Sequence, residues 1–171
     1  MASVFWAVIC ATTESKRLRG VRWQCFIAAQ HITSPTVAES FMTRVSTHLM
    51  FQGNASEALA FYASVFADFQ TIEREDYGVD DAGPEGTVKL ATISFHGAIL
   101  QVIDSPIPHD FDFTPSMSLF VDCEDEAELE KYFMALSQDG EVMMPLNNYG
   151  FSRRFGWCRD RFGMSWQVNL P

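Results

Sequence analysis

The chain is poor in basic residues. Lys and Arg number 12 against 22 Asp and Glu, a net charge of −10 at pH 7. Phosphate contacts need a basic face, so a nucleic-acid partner is excluded. Long apolar runs are also missing. The longest, residues 4–11, is eight residues, against the roughly 18–20 that a membrane helix needs. That run is no secretory signal either, because Lys16, Arg17, Arg19 and Arg22 follow it instead of preceding it. Glu14 and Glu39 weaken an organelle transit reading. The four cysteines, Cys10, Cys25, Cys123 and Cys158, show no C-x-x-C spacing. They read as free thiols in a reducing cytoplasm, in preference to a disulfide or zinc site. Histidine is scarce and scattered, at positions 31, 48, 96 and 109, so the sequence holds no histidine cluster.

Phenylalanine, by contrast, is plentiful. Fifteen Phe against four Tyr, within 47% apolar residues, predict a sizeable Phe-rich core. A six-residue phrase occurs twice. Gly97-Ala98-Ile99-Leu100-Gln101-Val102 returns as Gly163-Met164-Ser165-Trp166-Gln167-Val168, 66 residues later. Each copy reads as a glycine turn followed by a strand with one glutamine among apolar neighbours. Duplicated units tend to be related by pseudo-symmetry with a cleft between them. Gln101 and Gln167 are therefore candidates for equivalent places facing one cavity.

The chain divides near Met42. Residues 1–41 carry a net +2 and the remainder −12. No regular period runs through 1–41, which reads as an appended tail, disordered or an upstream mis-start, before a single domain over 42–171. From Val45 the elements repeat. Strands are predicted over 45–52, 69–77, 88–95 and 99–104, with a helix over 55–66 capped by Asn54. His96-Gly97 makes a hairpin turn, and Pro106, Pro108 and Pro115 mark a linker. The series restarts with a strand over 117–123 and a helix opened by Asp122 or Glu124. Strands over 141–144, 151–159 and 164–170 follow.

This pattern is α+β: two β-α-β-β-β modules, about 43–105 and 115–171, in curved mixed sheets around a cleft. It resembles the vicinal oxygen chelate superfamily of glyoxalase I, bleomycin-resistance proteins and extradiol dioxygenases. Two phrases narrow the resemblance to PhnB-like proteins: Leu49-Met50-Phe51-Gln52-Gly53-Asn54 with Phe61-Tyr62, and Phe155-Gly156-Trp157-Cys158-Arg159-Asp160-Arg161-Phe162-Gly163-Met164-Ser165-Trp166-Gln167-Val168. That subfamily often carries the label 3-demethylubiquinone 3-methyltransferase. A methyltransferase of the usual kind needs a Gly-rich turn after a parallel strand and an acidic residue for the ribose. The sequence has no segment of that shape.

The resemblance also implies four metal positions, on the first and last strand of each half. They fall on Thr47, Gln101, Ser116 and Gln167. Hydroxyls and amides are poor ligands for zinc, nickel or iron, so no cofactor is expected and a divalent metal is disfavoured. His48, one residue off the first position, reads either as a displaced ligand or base, or as an imidazole packed at a strand end. Alternation puts Ile99 and Ile103 with Gln101, Ser165 and Asn169 with Gln167, and Leu49 and Phe51 with Thr47. Trp166 points the other way, towards the helices. Arg154, or Arg153 beside it, reads either as a fork for an anionic ligand or as a surface ion pair. Two functional readings follow. One is a metal-free, cytoplasmic homodimer that binds a small oxygenated metabolite in a cleft lined by both repeats. The other is a metal- or base-dependent enzyme of the same superfamily acting on a small molecule.

Overall fold

A computed structural model of the protein describes Thr43 and residues 45–171, which belong to one compact unit, Thr43–Pro171. The expectations for residues 1–41 and for a start at Met42 lie outside the described residues. The element order is β1 (Thr47–Phe51), α1 (Ala55–Val65), β2 (Gln70–Asp76), β3 (Val88–Phe95), β4 (Ala98–Asp104), β5 (Leu119–Asp122), α2 (Glu126–Ser137), β6 (Glu141–Asn147), β7 (Arg154–Arg159) and β8 (Ser165–Leu170). Two four-stranded mixed sheets result, ordered β1-β4-β3-β2 and β5-β8-β7-β6. The order is the same in both halves, with the first strand parallel to the fourth and the other pairs antiparallel. The repeated phrase occupies matching places. Gly97 and Gly163 both take positive φ, 77° and 89°, in the turn that leads into the fourth strand.

Long-range groups fix the helix ends. Asn54 stands at the N-cap of α1, but its side chain makes no capping bond. Asp104, 1% exposed at the end of β4, does that work from a distance. Its Oδ1 accepts from Gly53 N at 2.7 Å and Ala55 N at 3.0 Å, and its Oδ2 from Val88 N at 2.9 Å. The predicted start of α2 moves from Asp122 or Glu124 to Asp125, whose carboxylate accepts from Glu128 N at 2.9 Å.

The helices cover one face of each sheet. Leu49, Phe51, Ile93, Leu100 and Val102 from the first half join Leu129, Phe133, Trp166 and Val168 from the second in one core. Aromatic rings make the junction: Phe66 stacks on Phe95 at 4.8 Å, and Trp166 lies 5.4 Å from Phe66 and 5.3 Å from Tyr62. Asp160, 3% exposed in the closing turn, accepts from Tyr62 Oη and Trp166 Nε1, both at 2.8 Å. Among the described residues, no helix is long and apolar enough to cross a membrane.

Candidate functional site

Strand alternation gives each sheet a second face, away from the helices. The register of β1 on β4 sets His48 beside Gln101 and Met50 beside Ile103. His48, and not Thr47, therefore shares the outer face of Gln101. Thr47 pairs with Leu100, and Leu49 and Phe51, each 2% exposed, point into the core with it. Leu49 and Phe51 do share Thr47's face, but that face is opposite Gln101's, because a one-residue shift in a strand moves every side chain to the other face; Leu49 nevertheless lines the hollow beside β1, and Phe51 does not.

The second half repeats the arrangement with different chemistry. Phe120 stands beside Gln167 as His48 stands beside Gln101. Ser116 lies before β5, in a turn where its Oγ is 2.6 Å from Thr114 Oγ1. Ser118, two residues on, meets Gln167: Gln167 Nε2 donates to Ser118 Oγ at 3.1 Å. Ser118 and Ser165 share a hydroxyl bond of 2.7 Å, and Trp157 Nε1 donates to Ser165 Oγ at 2.9 Å. The second amide is thus committed to a protein network. Gln101 and His48 make no side-chain hydrogen bond among the described residues.

The outward pairs that hold the two glutamines are His48 with Gln101 and Phe120 with Gln167. One imidazole, two amides and a phenyl ring are not a donor set for a divalent metal. Among the described residues, no three His, Cys, Asp or Glu are grouped to hold a metal ion. Cys123 and Cys158 are free and buried, and burial pushes them up to about 11 and about 12, so both stay as thiols near neutral pH.

Arg154 binds Glu126 and Glu130 of α2, the latter at 2.6 Å, and Arg153 Nε donates to Pro171 O at 2.7 Å. Neither reaches His48 or Gln101.

A cavity of about 230 Å³ opens beside β1. His48 and Met50 line it from the first half, Phe111, Phe113 and Met117 from the linker, and Met164 from the turn before β8. The halves therefore do meet at a hollow, but His48 and Met164 line it, while Gln101 and Gln167 do not. Gln52 holds the linker over the strand: its Oε1 accepts from His109 N at 2.9 Å and its Nε2 donates to Phe111 O at 3.3 Å. Phe113 packs edge-on against Phe51 at 5.0 Å, and His109 stacks on Phe111 at 4.7 Å. The walls are mostly apolar and polarisable, with Gln52, Asp112 and Thr114 among them and one imidazole that bonds to none of the described residues. Sequence reasoning missed Phe111, Phe113, Met117 and Met164. The available signal was an aromatic pair inside a proline-marked linker, where solvent-facing residues are the rule.

Comparison with known proteins places these features. Residues 43–169 match the family model described as 3-demethylubiquinone-9 3-methyltransferase. The structure of the PhnB protein from Bacillus cereus is 44% identical and superposes with a TM-score of 0.72, covering 75% of this chain and 100% of that one. The protein YjdN of Escherichia coli is 23% identical over 139 residues, 74% of this chain and 94% of its own length. A glyoxylase/bleomycin resistance protein/dioxygenase domain from a Frankia species, at 14% identity and a TM-score of 0.51, covers 77% of this chain and 98% of its own and shares the fold.

Proposed function

Because the chain belongs to the PhnB-like family that carries the 3-demethylubiquinone-9 3-methyltransferase description, we propose that it binds a small oxygenated molecule with an apolar body, without the superfamily's metal. The carrying observation is the cavity lined by both halves, where methionines and phenylalanines surround the imidazole of His48, which bonds to none of the described residues. Thioether and phenyl walls accept a range of flat or branched apolar shapes, and the imidazole offers one donor and one acceptor to a hydroxyl or carbonyl oxygen. The described residues form two mixed sheets in which the only parallel pairs are β1–β4 and β5–β8, so methyl transfer of the usual nucleoside-cofactor kind finds no support. The exposed outer-face side chains Leu90, Ile99 and Phe120, each 39–54% exposed, favour a homodimer in which a second copy covers the sheets. The buried free thiols fit the reducing cytoplasm.

The test is a thermal-shift and calorimetric screen of small phenols, hydroxy-ketones and carboxamides, run in EDTA. A ligand at a hundredfold excess over its Kd stabilises the native state by about 2.7 kcal/mol. We expect such shifts in EDTA, and their loss in His48→Ala. A shift that needs an added divalent metal, or one that survives His48→Ala, overturns the proposal. Recovery of a chemically altered probe, abolished in His48→Ala, would replace it with a base-dependent enzyme.

A further inference from the structure

The hollow beside β1 has one wall that no helix or strand supplies. Residues 106–113 run from the end of β4 toward β5 without regular structure. Pro106 and Pro108 lack backbone N–H donors, so the stretch cannot pair as a full strand. Its near end is fixed, because Ser105 N donates to Phe51 O at 2.8 Å. Its far end is fixed by Phe113, which is half-buried and packs on Phe51. Residues 106–112 between them form a strap. All of them but His109 are exposed, Ile107 and Phe111 each at 61%.

The strap has few polar attachments. Ser105 Oγ donates to Ile107 O at 2.8 Å and lies 2.8 Å from His109 Nε2, both within the near end itself. Among the described residues, the only hydrogen bonds that reach the strap from outside residues 105–113 come from Gln52. Its amide grips at two points: Oε1 accepts the His109 N–H and Nε2 donates to the Phe111 carbonyl. The backbone beside Gln52 is itself held, since Gly53 N donates to the buried Asp104 carboxylate. The clamp therefore has a fixed base and a loosely held load. Exposed backbone, two tethering bonds and little buried apolar surface are the marks of a segment that opens locally at low cost.

What the strap covers gives its opening a consequence. Phe111 lines the hollow from the strap, and Met164, 2% exposed, lines it from the other half. We propose that residues 106–112 are a gate over this hollow and that Gln52 is the positioning residue that holds it shut. A ligand enters when the amide releases the strap and is enclosed when the amide grips again. Phe111 and His109 move together, because their rings are stacked at 4.7 Å. The inference rests on the reading of the hollow as a ligand site and adds its route of entry.

The test needs no ligand. The full-length protein and its Gln52→Ala variant are compared by amide hydrogen exchange and by hydrogen peroxide oxidation, with each methionine followed by mass spectrometry. A thioether is oxidised where peroxide reaches it, so Met164 reports opening, and Met134, 69% exposed on α2, is the control. In Gln52→Ala, exchange at the His109 amide and oxidation of Met164 should each become about tenfold faster, as expected when the bonds that hold the closed state are lost. Met134 should not change. Gln52→Glu keeps an acceptor for the His109 N–H and should restore most of its protection. Opening a short strap exposes little surface, so Met164 oxidation should be nearly flat in urea up to about 1 M, while exchange at the β4 core amide of Val102 rises. Equal Met164 oxidation in the two proteins overturns the proposal. So does Met164 oxidation that climbs with urea in step with Val102, since Gln52 would then only support the fold. The two readings fail separately. Faster Met164 oxidation with no thermal shift from the phenols, hydroxy-ketones and carboxamides keeps the gate and removes the ligand; thermal shifts with unchanged Met164 oxidation keep the ligand and overturn the gate.

Discussion

Tyr62→Phe removes one oxygen from the junction between the halves and leaves the ring in place. Tyr62 is 2% exposed, and its hydroxyl donates to Asp160, 98 residues away, at 2.8 Å. Asp160 accepts three further bonds, from Trp166 Nε1 and Phe162 N at 2.8 Å and from Met164 N at 3.0 Å. A hydrogen bond to a charged group contributes about 1.5–3 kcal/mol, and one between neutral groups about 0.5–1.5 kcal/mol. We therefore expect Tyr62→Phe to cost about 2 kcal/mol at pH 7. With a urea slope of about 2 kcal/mol per M, the midpoint falls by about 1 M with the slope unchanged. Burial holds the Asp160 carboxyl above its ordinary range, while its four donors pull it back down. The sign follows from that direction. The folded state binds this proton more tightly than the unfolded chain, so Asp160 favours folding below the ordinary carboxylate pKa, and that favour is lost as pH rises through the raised value. Removing a donor raises it further and enlarges the loss, so the cost of Tyr62→Phe grows from about 1 kcal/mol or less in acid to about 2 kcal/mol at neutrality. Tyr62 itself is raised well above 10 by burial beside Asp160 and stays a donor throughout. A cost under about 0.5 kcal/mol at pH 7, or an equal cost at both pH values, refutes the reasoning.

Two further predictions concern backbone geometry. Asp104→Ala leaves Gly53 N, Ala55 N and Val88 N without their acceptor; the expected cost is about 3 kcal/mol, with Asp104→Asn near 1 kcal/mol, measured by urea unfolding. Gly140→Ala should be worse than Gly156→Ala. The added Cβ at 140 meets Arg159 O, a backbone atom, in direct overlap, whereas at 156 it meets the Phe133 ring at 2.6 Å and Leu146 at 2.8 Å. Side chains can shift, so Gly156→Ala should cost about 1–3 kcal/mol and Gly140→Ala more, read as the order of melting temperatures.

Much of the architecture is legible because it is local. The β3 stretch alternates, with Ala91, Ile93 and Phe95 inward and Thr92 and Ser94 less buried, and that period is written in the sequence. The repeated phrase marks two equivalent turns and two equivalent fourth strands, and the structure has both. The losses come from register and from distance. Thr47 and His48 are neighbours, and motif alignment places a strand to within a residue. Only the ladder that sets His48 beside Gln101 decides which of them faces outward. Ser116 is displaced for a related reason: β5 is four residues long, and the serine belongs to the turn before it. Arg154 meets Glu126 and Glu130 from 28 and 24 residues away, a pairing that no spacing rule reveals. Asn54 is a sound cap by residue type, yet Asp104 holds the site from another strand.

Duplication gives the halves one backbone plan and leaves the side chains free to diverge, and the divergence has a direction. In the second half, the fourth-strand glutamine is enclosed by Ser118, Ser165 and Trp157. A buried amide without partners costs about 1–3 kcal/mol, and this network removes that cost permanently. A ligand would have to break it to use Gln167. In the first half, Gln101 and His48 are half-buried or exposed and bonded to no described protein group, so no such bond has to break before another group can reach them. On the proposed function, polar recognition would therefore fall to the β1–β4 side, next to the methionine-lined hollow. The second half contributes rigidity through Asp160 and a single apolar contact through Met164. Two equivalent glutamines need not act as a pair, because the neighbours on each strand decide whether an amide is structure or site.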